Sequence, residues 1–388
     1  MARVELRTRL LTVDDLARVL EVRRRSFGPF SISVEEYATR QRPLLDEGRM
    51  LGVVAGDEVV AAARILPMRQ SWGGRPVSMA GIAGVVVAPE HRGRGAGTLL
   101  MRATLQRSRE LGATVSALYP ATVPLYRRLG WEIAGGQHNV RVPSHQLRVL
   151  GGRDVEVRRA TPADAEAILD HECRVYERSR DNGPLLHTLP ETCENLADPG
   201  IFSYVCEDGF VMYGWHAGDL LVHQLVAERE ESLRALWSVV GSGSSTAETV
   251  SAYVAPHDPL HLLLPATVAL PVRTERWMLR LLDLPGAVAA RGFPVAVTCE
   301  VPLRTVDPQT PEAGGSWLLR VNEGSGVLDR HDVGAGAAQL PPGGAAALFA
   351  GTPLSTLRRA GLVTGGSPAH DALLDTAFAG DAYLLDYF

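Results

Sequence analysis

The sequence predicts an α/β (α+β) chain: two mixed-sheet units followed by a smaller α+β unit. Three observations carry that prediction. The chain has 388 residues, enough for two or three cores at roughly 100–200 residues per domain. Its opening section alternates helix and strand around a single glycine-rich turn. A later stretch, Val155-Glu156-Val157-Arg158-Arg159-Ala160-Thr161-Pro162-Ala163-Asp164, repeats the opening strand and the pattern of Thr12-Val13-Asp14-Asp15, which marks an internal duplication. With 46% apolar and 21% charged residues and a net charge of -5, the composition is that of a soluble globular protein without a nucleic-acid footprint. All 39 basic residues are arginine, so the protein has no lysine side chain of its own to acetylate.

The elements follow in order. In the first unit, residues 1–145, Thr12 caps a helix whose first turn is acidic and whose apolar face starts with Leu16, Val19 and Leu20. Apolar runs 50–55 and 58–66 flank Gly56-Asp57, a hairpin turn pair. A third run, 77–88, leads into Pro89-Glu90-His91-Arg92-Gly93-Arg94-Gly95-Ala96-Gly97. Leu99, Leu100, Ala103, Leu105 and Leu111 then suit a helix, and 115–119 a short buried strand. The polar stretch 142–152 reads as a linker into the second unit, 146–284. There Thr161 and Pro162 open a helix. After the apolar strand 219–226, Glu228-Arg229-Glu230-Glu231 stands where a glycine turn belongs, and three carboxylates without a glycine cannot cradle a phosphate. This unit is therefore expected to be catalytically silent. The third unit, 285–388, has strand candidates at 295–301 and 316–321, glycine- and proline-rich turns across 334–344, a helix at 371–378 and an aromatic end.

Other classes are excluded by pattern. The N-terminus mixes arginines and acids where an export signal needs an apolar segment, which points to the cytoplasm. The apolar stretch 261–272 is broken by Pro265 and Pro271 and falls short of the ~20 residues that span a bilayer. Cys173, Cys193, Cys206 and Cys299 form no C-x-x-C pair, so they read as reduced, buried thiols rather than a zinc or disulfide site. His257 and His261 lack the H-E-x-x-H form of a metal site. Arg23-Arg24-Arg25 reads as a solvated helix face and His91 as an exposed loop histidine. Trp72, Trp131, Trp215, Trp237, Trp277 and Trp317 read as core.

The turn carries the chemistry. Arg92-x-x-Gly95-x-Gly97, directly after a strand and opening a helix, leaves bare backbone N–H groups at a positive helix end, which suits a pyrophosphate. The run has no Gly-Lys-Ser/Thr of a P-loop, and its glycines at 93, 95 and 97 lack the G-x-G-x-x-G spacing of a dinucleotide turn. The candidate ligand positions are Arg92, Gly93, Arg94, Gly95, Ala96, Gly97 and Thr98. With Gly84-Val85-Val86-Val87 ahead of it and Leu125-Tyr126-Arg127-Arg128-Leu129-Gly130-Trp131 behind, the stretch 81–131 resembles the GCN5-related N-acetyltransferases (GNAT), whose turn holds the pyrophosphate of acetyl-coenzyme A. Two such units, a third domain and an end running from Leu374-Asp375-Thr376-Ala377-Phe378-Ala379-Gly380-Asp381 to Phe388 resemble the Eis (enhanced intracellular survival) family. The segment from Asp258-Pro259-Leu260 through Trp277 to Arg291-Gly292-Phe293 is similar to it too.

That resemblance covers almost the whole chain. It implies two GNAT-fold units, a third domain like sterol carrier proteins (SCP2-like), and metal-free acetyl transfer from acetyl-coenzyme A to a small-molecule amine such as an aminoglycoside. A homohexamer is implied as well. The implied reaction needs a base for the ammonium proton, a donor for the developing oxyanion and an acid for the departing thiolate. A backbone N–H at Val85, Val86 or Val87 is the implied donor, Tyr126 the acid with Tyr119 its nearest competitor, and the terminal carboxylate of Phe388 the base. A free α-carboxyl has a pKa of about 3.5, so the last role needs burial beside Tyr383, Tyr387 and the Phe388 ring, or a relaying water. By the same analogy Ala121 and Thr122 face the pantetheine or adenine side of the coenzyme. A polycationic acceptor would need an acidic pocket; the tail offers Asp381 and Asp386, but residue 387 is a neutral tyrosine and 23–30 is basic, then apolar. Two other readings are an acetyltransferase of protein or peptide amines and a non-catalytic sensor of coenzyme A or a lipid.

Overall fold

The computed structural model describes residues 5–152, 154–264, 270–311, 314–334 and 336–388; the first four residues and Pro265 lie outside them. The first unit comprises β1 (Leu6–Leu10), α1 (Leu16–Phe27), α2 (Val34–Asp46), β2 (Met50–Ala55), β3 (Glu58–Trp72), β4 (Arg75–Val87), α3 (Ala96–Glu110), β5 (Val115–Leu118), α4 (Val123–Arg127) and β6 (Glu132–Pro143). The second runs through α5 (Ser144–Arg148), β7 (Arg158–Arg159), α6 (Ala165–Ser179), β8 (Asn182–Leu185), α7 (Leu189–Ala197), β9 (Ile201–Cys206), β10 (Gly209–His216), β11 (Asp219–Ala227), α8 (Glu230–Gly241), β12 (Thr249–Val254), α9 (Leu260–Leu263) and β13 (Val272–Leu281). The third has α10 (Leu284–Ala290), β14 (Cys299–Thr305), β15 (Gly315–Asn322), β16 (Ser325–Arg330), β17 (Ala338–Leu340), α11 (Pro342–Phe349), α12 (Leu354–Arg359) and α13 (Pro368–Ala377).

The duplication is visible atom by atom. Thr12 N–H and hydroxyl donate to the Asp15 carboxylate at 2.8 and 3.1 Å, and Arg9 pairs with the same group. Thr161, Asp164 and Arg158 repeat the arrangement at 2.8 and 3.0 Å. In each case a strand arginine fixes the carboxylate that satisfies the first N–H of the following helical segment.

The two units share one sheet, in the order β1-β2-β3-β4-β5-β13-β6-β12-β11-β10-β9-β7, with β8 added beside β3. The strand that joins them is β13. Although it closes the second unit in sequence, it lies antiparallel between β5 and β6. Strand β6 continues past it to pair with β12, so residues 142–148 are strand and helix rather than the linker expected. The third unit forms a separate sheet, β16-β15-β14-β17. Its Phe349 and Phe378 pack with Trp72 and Trp277 in a core that spans the units, the Trp72 and Phe349 rings 4.8 Å apart.

Four local expectations change. Strand β3 runs through Pro67 to Trp72, because the missing N–H falls between the stretches that β2 and β8 pair with. Strand β14 starts at Cys299 rather than 295, since the Val297 N–H closes a turn onto the Pro294 carbonyl at 3.0 Å. Trp215 is 51% exposed at the end of β10, unlike the other five tryptophans. Cys173 is exposed, and Cys193 and Cys206 are half-buried.

The chain end is threaded between the units. Tyr383 N–H donates to the Asn182 carbonyl at 3.0 Å, Leu384 N–H to the Gly136 carbonyl at 3.1 Å, and the Gln137 side-chain amide to the Leu385 carbonyl at 2.8 Å. Gly135 and Gly183 make room for this: a Cβ on either would strike the carbonyl oxygen of Ala382 or Tyr383, and Gly183 has φ +103°. Replacing Gly135 with valine should therefore lift the tail and cost ~1–3 kcal/mol of overpacking, read as a lower urea midpoint. Carboxypeptidase should also release Phe388 faster than from the native protein; equal release rates would contradict this seating.

Candidate active site

Strands β4 and β5 part at one point. They pair in parallel over Met79–Gly81 against Val115–Ala117, after which β4 continues to Val87 while β5 ends at Leu118. A bulge lies in the diverging part of β4: the pairing steps from Ala62↔Val86 to Arg64↔Ala83, so that Gly84 and Val85 on β4 stand against the single Ala63 on β3. Gly84 supplies the bulge with φ +59°, a conformation open to glycine. The bulge leaves Gly84 and Val85 out of the paired register, which resumes at Val86 and Val87 opposite Ala62 and Ala61; Val86 is buried and its two neighbours half-exposed.

The glycine turn follows directly. Gly93 (φ +71°) and Gly95 (φ +89°) are both left-handed, and a Cβ built on either meets nothing within 4 Å. Gly95 caps α3, whose first hydrogen bond runs from Leu99 N–H to the Gly95 carbonyl at 3.0 Å. The N–H groups ahead of Leu99 therefore face out of the helix end. Arg92 turns back to donate to the Val87 carbonyl at 3.2 Å, while Arg94 is exposed. At Gly97 a Cβ would lie 3.6 Å from Val87 and 3.7 Å from Leu125, so the end of β4, the start of α3 and helix α4 converge. Ala121 and Thr122 are exposed at the head of α4. The bare N–H groups, open space and left-handed glycines fit a diphosphate approaching the main chain closely.

Tyr126 lies on α4, 4% exposed, with its ring 6.4 Å from Trp131 in an edge-on contact. Burial pushes its pKa up to about 12, so it keeps its proton at neutral pH. Tyr119 is differently engaged. Its hydroxyl donates to the Asp386 carbonyl at 2.7 Å and its ring lies 4.4 Å from Tyr387 and 5.5 Å from Phe388. Burial, then the charge of Asp386, raises its pKa further than that of Tyr126. The Phe388 ring lies against Gly81 beside Met68, where β4 and β5 begin to part; a Cβ on Gly81 would be 3.2 Å from the ring. Phe388 also borders a cavity of about 470 Å³ lined by Met68, Met79, Leu185, His187 and Glu191.

Two features here were not anticipated from sequence. His187 bridges the second unit and the tail, with Nδ1 2.8 Å from Glu172 and Nε2 3.3 Å from Asp386. Arg23, expected on a solvated face, turns inward against Phe30 and Tyr37, 5.1 and 5.7 Å from its guanidinium carbon. A signal existed for Arg23: it falls on the same helical stripe as Leu16, Val19 and Leu20. His91 is half-buried in a short 3₁₀ turn rather than exposed.

In the second unit, β11 and β12 also pair in parallel, over Leu220–Val222. Where the glycine turn would be, Glu228 pairs with Arg174 and Arg178, and Arg229 with Asp208 and Glu207. Ion pairs fill the helix end.

Known proteins carry the same plan. Models of the acetyltransferase (GNAT) domain match residues 7–134 and 174–281, and a sterol carrier protein domain matches 284–384. A solved GCN5-related N-acetyltransferase from Kribbella flavida is 50% identical, with a TM-score of 0.97 over 99% of this chain and 98% of its own. The chain belongs to the GCN5-related N-acetyltransferase family. The N-acetyltransferase Eis of Mycobacterium tuberculosis is 29% identical over 300 residues, 70% of this chain and 71% of that protein. Eis1 of Mycobacterium abscessus, 23% identical, shares the fold at a TM-score of 0.76 over 99% of this chain and 100% of its own. This GNAT protein is thus an Eis-like acetyltransferase, with tandem GNAT domains and a C-terminal SCP2-type domain.

The His187 bridge makes a pH-dependent contact. Burial opposes charge on the imidazole, but Asp386 and Glu172 outweigh it and raise its pKa well above the ordinary value. A raised histidine stabilises the folded state fully below the unfolded pKa of about 6.5 and loses that contribution as pH climbs through the folded value. Urea unfolding should therefore show a decline in native stability above about pH 6.5 that His187→Gln flattens. Parallel pH profiles for the two proteins would contradict a charged bridge.

Proposed function

We propose that this acetyltransferase moves the acetyl group of acetyl-coenzyme A to a primary amine of a small molecule, and that only the first unit does so. Acetyl-coenzyme A supplies the activated acetyl thioester when bound. Arg92, Gly93, Arg94, Gly95, Ala96, Gly97 and Thr98 hold its diphosphate through main-chain N–H groups, with Ala121 and Thr122 bordering the arm or the adenine. A main-chain N–H at Val85, Val86 or Val87 donates to the oxygen that gains charge. Phe388 takes the ammonium proton on its terminal carboxylate, directly or through a water, as the nitrogen forms its bond to the acyl carbon. Tyr126 gives its proton to the sulfur as the carbon–sulfur bond breaks and is restored by the second proton the acylated nitrogen sheds, which leaves free thiol and amide as products and the first proton on Phe388 to pass to solvent.

The observation that carries this reading is the seating of Phe388 against Gly81, where β4 and β5 begin to part. Tyr126 is preferred over Tyr119 because the Tyr119 hydroxyl is already donating to the Asp386 carbonyl. The salt-bridged helix end of the second unit supports its silence. A lipid sensor is disfavoured: the apolar cavity inside the third unit is only about 30 Å³, whereas ligand pockets run to roughly 300–1,000 Å³. The family resemblance adds a cytoplasmic homohexamer, which light scattering would check.

Thiol release with a panel of amines tests the reaction. Tyr126→Phe and a chain extended past Phe388 by a short tag should each lower kcat about 10²–10⁴-fold, with coenzyme affinity close to native. Gly95→Val should instead weaken coenzyme binding. A tagged enzyme with native kcat would remove Phe388 from the mechanism.

A further inference from the structure

The parting strands carry a second feature, on the α1–α2 side of the sheet. At the Gly84 bulge two guanidinium groups converge: a Cβ on Gly84 would strike Arg23 Nη1 and lie 3.1 Å from Arg64 Nε. Arg23 reaches there from α1, its guanidinium carbon 6.0, 5.1 and 5.7 Å from the ring centres of Phe27, Phe30 and Tyr37. Arg64 comes from β3 and donates to Gln41 at 3.2 Å. Beyond that, Arg23 Nε and Nη1, Arg64 Nε and the Tyr37 hydroxyl are buried and meet no hydrogen-bond partner among the described residues. The acids nearby are engaged elsewhere: Glu21, Glu58 and Glu90 pair with Arg18 and Arg25. Burial and the charge of Arg23 both push the Arg64 pKa down, as expected of like charges forced together out of water.

Two adjoining cations with unmet donors and no carboxylate are costly unless an anion completes them. A guanidinium's planar fork matches a carboxylate, which can take two parallel hydrogen bonds from it. The position relates directly to the chemistry proposed above. Gly84 precedes Val85, the first of the proposed oxyanion donors. Arg64 and Met68 lie four residues apart on β3, on one face of the sheet, and Met68 sits with the Phe388 ring over Gly81. Gly81 and Gly84 are three residues apart, about 10 Å of extended chain at most. A short molecule carrying both an amine and a carboxylate fits that span.

We infer that Arg23 and Arg64 bind the carboxylate of the acceptor, so that the amine acetylated by this enzyme belongs to an amino acid or a similarly short amino-carboxylate. The inference rests on the acetyl-transfer reading and deepens it. The same two cations repel a polyamine or an aminoglycoside-like polycation.

Matched pairs test it: phenylalanine against phenethylamine, lysine against cadaverine, β-alanine against ethylamine, each followed by thiol release. The carboxylated member should be preferred by about tenfold or more in kcat/KM in at least one pair. Arg23→Met and Arg64→Met should each cut that preference by about tenfold to a hundredfold, chiefly through KM. Arg64→Lys should keep part of it, and thermal melts and coenzyme titration report whether each variant is folded. Preference for the carboxylate-free amine in every pair, or an unchanged ratio in folded variants, overturns the inference and leaves acetyl transfer standing. Absence of thiol release with every amine counts instead against acetyl transfer. In that event N-acetylphenylalanine is titrated into the coenzyme-A-loaded protein: saturable binding lost in Arg64→Met supports the carboxylate site, and no binding overturns it.

Discussion

The main-chain hydrogen bonds that tie Tyr383 and Leu384 to Asn182 and Gly136 bring all three units to one point. Gly136 belongs to the first sheet, Asn182 to a strand of the second unit and the tail to the third. Backbone pairing of this kind fixes position to a few tenths of an ångström, because a buried N–H that loses its carbonyl costs its full desolvation. Four residues beyond the last of these bonds stands Phe388, with its aromatic ring over Gly81. The distance between an anchored strand and Phe388 is thus too short for much wandering, and its ring inherits the rigidity of the sheet.

This arrangement gives the second unit a structural part that does not need its own catalytic turn. It contributes β13, which completes the first sheet between β5 and β6, and it contributes Asn182 and His187, which hold the tail. The duplication kept the capping carboxylates Asp15 and Asp164 with their strand arginines, since those satisfy helix ends in either unit. It did not keep the glycines. At the start of α3 left-handed Gly93 and Gly95 leave the helix end bare, while at the start of α8 Glu228 and Arg229 close it with side-chain pairs. The same topological position is solvated and receptive in one copy and filled by the protein's own charges in the other.

What the sequence made legible was local. The Gly56-Asp57 hairpin, the Thr caps and the strand, turn and helix around Gly95 are set by residues a few positions apart, and they stand where their chemistry puts them. The three-part plan followed from the chain length and the repeated opening pattern, joined by the family resemblance. The insertion of β13 and the extension of β6 were not legible, because pairing between strands more than a hundred residues apart leaves no periodic trace in either. The polar look of 142–148 misled for that reason: its strand partner, β12, lies far along the chain. His187 carried no signal, since its partners Glu172 and Asp386 meet only through tertiary structure.

Arg23 is the instructive exception. It stands in a run of three arginines, and charge runs usually mark a solvated face. Successive helix positions are about 100° apart, however, so three in a row cannot share a face. Arg24 and Arg25 look outward, Arg25 toward Glu21 and Glu90, while Arg23 follows Leu16, Val19 and Leu20 inward. An arginine on an apolar stripe, meeting a second arginine from β3, breaks the local rule that buried charges are paired. Nothing in the packing requires it: an apolar residue would sit among Phe27, Phe30 and Tyr37 without the desolvation cost. Such departures concentrate where a ligand supplies the missing partner, and this one adjoins the bulge that exposes Val85. The unmet donors of α1 and β3 meet over Gly84, the residue before Val85 in β4, so whatever anion satisfies them is held next to the bulge.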